Sequence, residues 1–176
     1  MRKSGPMNAP ALHRRTVLCA IAAWAVSPPV LALEAPAGNV LLSVTGDIEA
    51  RNTPGGADFD LAMLERLAQH SFSTKTPWYP TPRKFTGVLL RDLLAAVGAR
   101  GTTVRAVALN DYRVDIPVEE AQRHDLLVAY RLDDQPMRVR DKGPLVIIYP
   151  FDDQPALRSA RNYSRAAWQL RQLELR

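Results

Sequence analysis

The chain has 176 residues, one cysteine and three histidines, so it is sized for a single domain with no disulfide framework and no multi-histidine metal site. Its formal net charge is +5, but Arg2, Lys3, Arg14 and Arg15 carry most of the excess. Beyond residue 32 there are 19 basic residues against 18 acidic ones, which removes the support for a general nucleic-acid or acidic-membrane role.

Residues 1–32 read as a cleaved export leader. A basic, acid-free start precedes an apolar run from Thr16 to Val26, and Pro28-Pro29 and Val30-Leu31-Ala32 form a cleavage region. The apolar run is shorter than the ~20 residues a membrane span needs. Arg14-Arg15 before Thr16-Val17-Leu18 resembles a twin-arginine signal, and ordinary secretion stays open. Cys19 lacks the small preceding residue of a lipoprotein site and leaves with the leader. The expected location is therefore the periplasm, with a cysteine-free domain at 33–176.

Val40 to Val44 predicts a first strand ending at Gly46-Asp47. After a Pro/Gly loop, Asp58 or Asp60 can cap a helix whose stripe is Leu61, Leu64, Leu67 and Ala68. Ser71 to Phe85 has no period and three prolines, which reads as an ordered loop or irregular strand. A second helix runs from Leu89 to Val97, with Gly98 as its C-cap. Val104, Ala106 and Ala108, then Tyr112, Val114 and Ile116, predict two strands joined at Asn110-Asp111. Pro117 opens a third helix to Arg123. Leu126 to Leu132 is a strand that Asp133-Asp134 turns into Met137 to Arg140. Leu145 to Tyr149 is continuously apolar, as a strand buried on both faces would be. An arginine-rich loop leads to a last strand, Trp168 to Leu175. The expected class is α+β, strand-rich, with about three short helices.

Five segments carry a resemblance: Thr76-Pro-Trp-Tyr, Phe85-Thr-Gly-Val-Leu-Leu-Arg-Asp-Leu-Leu, Leu109-Asn-Asp-Tyr with Ile116-Pro117, Lys142-Gly-Pro-Leu-Val-Ile-Ile-Tyr-Pro, and Trp168-Gln-Leu. In this order they resemble the oxidoreductase molybdopterin-binding domain with the sulfite oxidase-like fold. Catalytic members bind molybdenum through a cysteine thiolate, and no cysteine lies in 33–176. The chain looks more like the small periplasmic members. The resemblance to these implies a molybdenum-free pterin as ligand and a regulatory role toward the periplasmic domain of a membrane-bound enzyme of cyclic-di-GMP turnover, and so biofilm formation. A molybdopterin-dependent oxidoreductase, or a subunit of one, is the alternative. The missing thiolate argues against catalysis, and no catalytic or metal residue is assigned.

A pterin needs an aromatic plane to stack on and an acceptor facing its paired amino and N–H donors. Trp78, in an aperiodic stretch, is the expected plane, and Tyr79 the second; a plug onto the core is the structural alternative for Trp78. Asn110, Asp111 and Tyr112 are the polar candidates, Asp111 as acceptor, although Asn-Asp is also ordinary turn chemistry. Arg83 can hold a phosphate, as can Lys84 and the later Arg158, Arg161 and Arg165, against a solvated basic face as the simpler account. Trp168 reads as core.

Overall fold

The computed structural model describes Met1 and residues 33–176; residues 2–32, all but the first residue of the expected leader 1–32, lie outside the described residues. In chain order the elements are β1 (Leu42–Gly46), β2 (Ala57–Phe59), α1 (Leu61–Arg66), β3 (Gln69–Thr76), β4 (Tyr79–Leu89), α2 (Leu90–Ala96), β5 (Thr103–Ala108), β6 (Arg113–Pro117), α3 (Val118–Arg123), β7 (Leu127–Leu132), β8 (Gln135–Pro136), β9 (Val146–Ile148), α4 (Ala160–Arg165) and β10 (Leu170–Leu175). Short 3-10 turns occupy Val139–Asp141 and Pro155–Leu157. The class is α+β, as expected, with ten strands and four short helices among the described residues. No described helix is long and apolar enough to cross a membrane.

The strands form two sheets. One runs β2-β1-β10-β5-β6, and its single parallel pair joins the first strand to the last, Val44 beside Leu173. The other runs β3-β4-β7-β8, with β9 also pairing β7. Alternation explains the inward faces: Leu42 and Val44 of β1 and Val104 and Ala106 of β5 are fully buried. Leu145 to Tyr149 is buried without a break, as the apolar run requires. α2 buries Leu90, Leu93 and Leu94 and is capped by Val97, one residue before the expected Gly98, whose φ of +61° suits a residue without Cβ just past the cap. Of the two candidate caps, Asp60 starts α1 by accepting from Met63 N, while Asp58 accepts from Ser43 Oγ. α1 stops at Arg66 and buries Met63 and Leu64; Ala68 is exposed rather than part of a stripe.

Four expectations need correction. Of the two readings of residues 71–85, the loop fails and the irregular strand holds: they belong to a long hairpin, β3–β4, with a register shift. Its prolines hid it: Pro80 and Pro82 lie beside the register shift between Thr74 and Thr76, and β7 starts pairing only at Phe85, so their missing N–H groups interrupt no central ladder. The arginine-rich stretch contains α4, a fourth helix, capped by Ser159 accepting from Asn162 N. Met137 to Arg140 is not a strand; β8 covers only Gln135–Pro136 before the chain turns. The last strand begins at Leu170, because Gln169 sits at φ +53° and breaks it from Trp168.

Candidate functional site

Trp78 stands in the two-residue turn of the β3–β4 hairpin, which carries it to the last segment of the chain. Its ring meets Trp168 edge-on, with centroids 4.9 Å apart, and Tyr163 of α4 at 6.0 Å. Trp168 also lies 6.1 Å from Tyr79 and 6.4 Å from Phe85, and Tyr163 lies 4.7 Å from Phe151. These rings extend the core outward to the surface, with Trp78, Tyr79, Tyr163 and Trp168 each half-buried. Trp78 therefore does plug the hairpin onto the core, and it also keeps exposed ring surface.

That surface borders a cavity of about 270 Å³. Trp78, Tyr163 and Trp168 form its aromatic side, and Asn110, Tyr112 and Gln169 its polar side. The volume is just under the ~300–1,000 Å³ usual for ligand sites, so it suits one small flat ring system rather than a large ligand. Tyr112 is fixed from α4, its hydroxyl donating to Ser164 O at 2.8 Å. Asn110 Oδ1 accepts from Tyr112 N at 3.2 Å, an Asx-type contact that squares the corner. Asp111 takes the left-handed backbone there, with φ +63°.

The six expected binding residues separate into three places. Trp78, Asn110 and Tyr112 line this cavity together. Tyr79 and Arg83 line a larger cleft of about 790 Å³, whose far wall is the Met137–Lys142 turn. Trp168 divides the two spaces: it borders the cavity, while Tyr79 and the Lys142 ammonium, 5.7 Å from its ring, border the cleft. Asp111 lines neither; its Oδ1 accepts from Arg171 Nη2 at 2.8 Å, with Arg113 3.8 Å away. Arg83 lies over Tyr79 at 4.8 Å and donates to Asp133, and Lys84 pairs with Asp134. Burial pushes the Tyr79 hydroxyl above its ordinary pKa, and Arg83 pulls against this.

Two of the three late arginines are tied into the fold, while Arg161 is exposed. Arg158 donates to Phe151 O and pairs with Asp152, while Arg165 donates to Asp115 O and pairs with Glu120. Trp168, expected in the core, is a cavity wall whose buried Nε1 has no partner among the described residues. Three contributors went unread in the sequence: Tyr163, Gln169 and Trp168 as a site residue. Gln169 carries no sequence signal; its side chain lines the cavity and its Nε2 donates to Val139 O. Among the described residues, no group of three or more His, Cys, Asp or Glu side chains is placed to hold a metal.

A family model described as oxidoreductase molybdopterin binding domain matches residues 62–153. That span holds Trp78, Asn110 and Tyr112 but not Tyr163, Trp168 or Gln169. Among solved structures, the sulfane dehydrogenase SoxCD from Paracoccus pantotrophus is similar at a TM-score of 0.57 and 16% identity. The likeness covers 76% of this chain and 37% of that one, so the chain spans well under half of its length. No curated protein matches the chain.

Proposed function

The chain belongs to the oxidoreductase molybdopterin-binding domain family, and we propose that this member is an exported, non-catalytic domain that binds a molybdenum-free pterin. In this reading it works in the periplasm and regulates a membrane-bound enzyme of cyclic-di-GMP turnover.

One observation carries the reading. The cavity offers an aromatic wall and polar edge groups, while the only cysteine of the whole sequence is Cys19, in the expected leader. A soft metal of this family calls for a thiolate, and the donors that do line the cavity are amides, hydroxyls and an indole. The residues fit the organic ring and not the metal, so no step is derived through molybdenum. The ring would lie against Trp78 or Trp168. Asn110 and the Gln169 side-chain amide would meet its amino and N–H edge, a part that does not fall to Asp111, which lines neither space. Tyr112 would hold the corner, tethered to α4. Support for the regulatory role is the likeness to the small periplasmic members of the family, together with the absence of a metal-binding thiolate.

The test uses protein purified from its native periplasm, by native mass spectrometry with molybdenum analysis. The expected result is a chain lacking residues 1–32, a bound pterin-sized mass and no molybdenum. Stoichiometric molybdenum would overturn the non-catalytic reading, and an intact leader would overturn the location. The regulatory part has its own readout. Deleting the gene should change cellular cyclic-di-GMP, and Trp78→Ala should fail to restore it where the parent chain succeeds.

A further inference from the structure

Apart from Met1, the large hydrophobic side chains exposed on the described domain are Val40 at 46%, Leu109 at 46%, Tyr112 at 43% and Val139 at 53%. A scattering of such residues is ordinary on any surface. These are not scattered. Val40, Leu109 and Val139 come from three distant parts of the chain, and they line one groove of about 390 Å³ together with Leu41, Pro144 and Leu170. Tyr112 lies around the corner, in the neighbouring cavity. An exposed apolar concavity assembled from separate segments is the usual mark of a contact surface.

The surround is cationic. Arg171 lines the groove itself, Arg138, Arg140 and Lys142 flank Val139 and line the adjoining cleft, and Arg113 follows the Leu109 corner, against Asp111, Asp141 and Asp58, which accepts from the groove-lining Ser43. Arg113, Arg138 and Arg140 are more than half exposed and reach only Asp111 and Asp141. Beyond residue 32 the basic and acidic residues are nearly balanced, so this excess is local. We propose that the groove is a docking surface for a partner-protein segment that inserts an aliphatic side chain flanked by carboxylates. The inference deepens the regulatory reading above and rests on it.

Two other occupants fit less well. A second copy packed through a two-fold axis would bring the same cationic rim against itself. A lipid surface is usually gripped by a convex row of Trp, Phe or Leu with surrounding lysines, whereas this is a concave site with aliphatic walls and acids at its edge.

The groove is also joined to the ring-binding cavity. Leu109 lines the groove, and the next residues, Asn110 and Tyr112, line the cavity. Gln169 lines the cavity while its Nε2 holds Val139 O, 2.8 Å away, at the groove. A ligand that moves the Asn110 corner or Gln169 therefore moves a wall of the docking surface.

The experiment places a photo-crosslinking residue at position 139 of the full chain in its native cells, with position 119 on exposed α3 as the control. Crosslinked segments are then sequenced. The expected result is adducts from position 139 alone, to a protein segment with Leu, Ile, Val or Met beside Asp or Glu. Those adducts should be lost with Val40→Asp and with Arg138→Glu/Arg140→Glu. Adducts to the chain itself, to lipid, to segments without carboxylates, or equally from position 119 would overturn the proposal, as would no adduct at all. So would binding to phosphatidylglycerol vesicles that Val40→Asp abolishes. Pterin quenching of tryptophan fluorescence separates this failure from that of the parent reading. Quenching retained in Val40→Asp with no adducts in the parent rejects the docking surface alone, and absence of quenching in the parent rejects the ligand.

Discussion

Trp78 packs edge-on against Trp168 and Tyr163 and, in the proposed reading, also stacks on the ligand, so a substitution there should disturb both. Each aromatic pair is worth about 0.5–1.5 kcal/mol beyond area burial, so Trp78→Ala should lower stability by about 1–3 kcal/mol. It should also weaken pterin binding about tenfold or more, with Trp78→Phe keeping part of the affinity. Titration with a reduced or oxidised pterin, beside urea unfolding, reads both; unchanged affinity in a folded Trp78→Ala would move the stacking site elsewhere. Trp168→Ala should cost more stability, at about 3 kcal/mol, because it meets more rings. Asp60 gives a pH signature. Its carboxylate accepts from Met63, Gly38 and Ala37 N–H groups, which hold its pKa below the ordinary 3.8. The stability it contributes is complete above about pH 5 and is lost as pH falls below the unfolded value toward the folded one. Acid unfolding of Asp60→Asn should therefore be shallower below about pH 4 than that of the parent, while the parent is more stable at pH 7. Trp78 drew notice because its stretch has no period, and Asn110 because it stands at a corner between two strands; the structure brings both to one cavity. Trp168, Tyr163 and Gln169 were not legible, because their roles exist only once the hairpin turn reaches the C-terminal segment.

At the scale of elements, the position of α4 depends on a buried ion pair. Arg165 of α4 meets Glu120 of α3, both side chains being largely buried, and the Tyr149 hydroxyl sits beside Glu120 short of full hydrogen-bond geometry. Burial first, and then this carboxylate, push the Tyr149 pKa up, so the hydroxyl stays protonated. Arg165→Ala would leave Glu120 buried without a partner and should cost about 3–5 kcal/mol; Arg165→Met with Glu120→Leu should recover most of it. Urea unfolding of the two variants checks this, and equal losses would mean the pair is not desolvated. Since α4 carries Tyr163 and holds Tyr112, the single variant should also weaken pterin binding. Periodicity made α2, β5, β6 and β7 legible. It failed for β3–β4, where two prolines mimic a loop, and for α4, where arginines mask a helix whose inward face is a single turn. The Trp168 strand start failed too, because one residue with positive φ is invisible in composition.

For the molecule as a whole, the motif order was enough for the family fold, but the sheet order was not. Nothing local says that β1 lies parallel to β10, since that pairing joins the two ends of the domain. β10 sits between β1 and β5, so removing residues 170–176 would strip a central strand and bare both neighbours. Such a truncation should abolish cooperative unfolding by circular dichroism rather than lower its midpoint. Gln169 stands at the entrance to that strand. Its side chain lines the cavity beside Trp78 and donates from Nε2 to Val139 O, while its backbone N–H donates to Lys142 O. In the proposed reading Gln169 is shared between two binding events, and any coupling it carries is reciprocal: whatever factor the pterin applies to partner affinity, the partner applies to pterin affinity. Couplings of this kind typically run from about 5-fold to about 150-fold. A partner anchored in a membrane would then concentrate the ligand-bound form there, so pterin occupancy would differ between free and docked copies at a single pterin concentration.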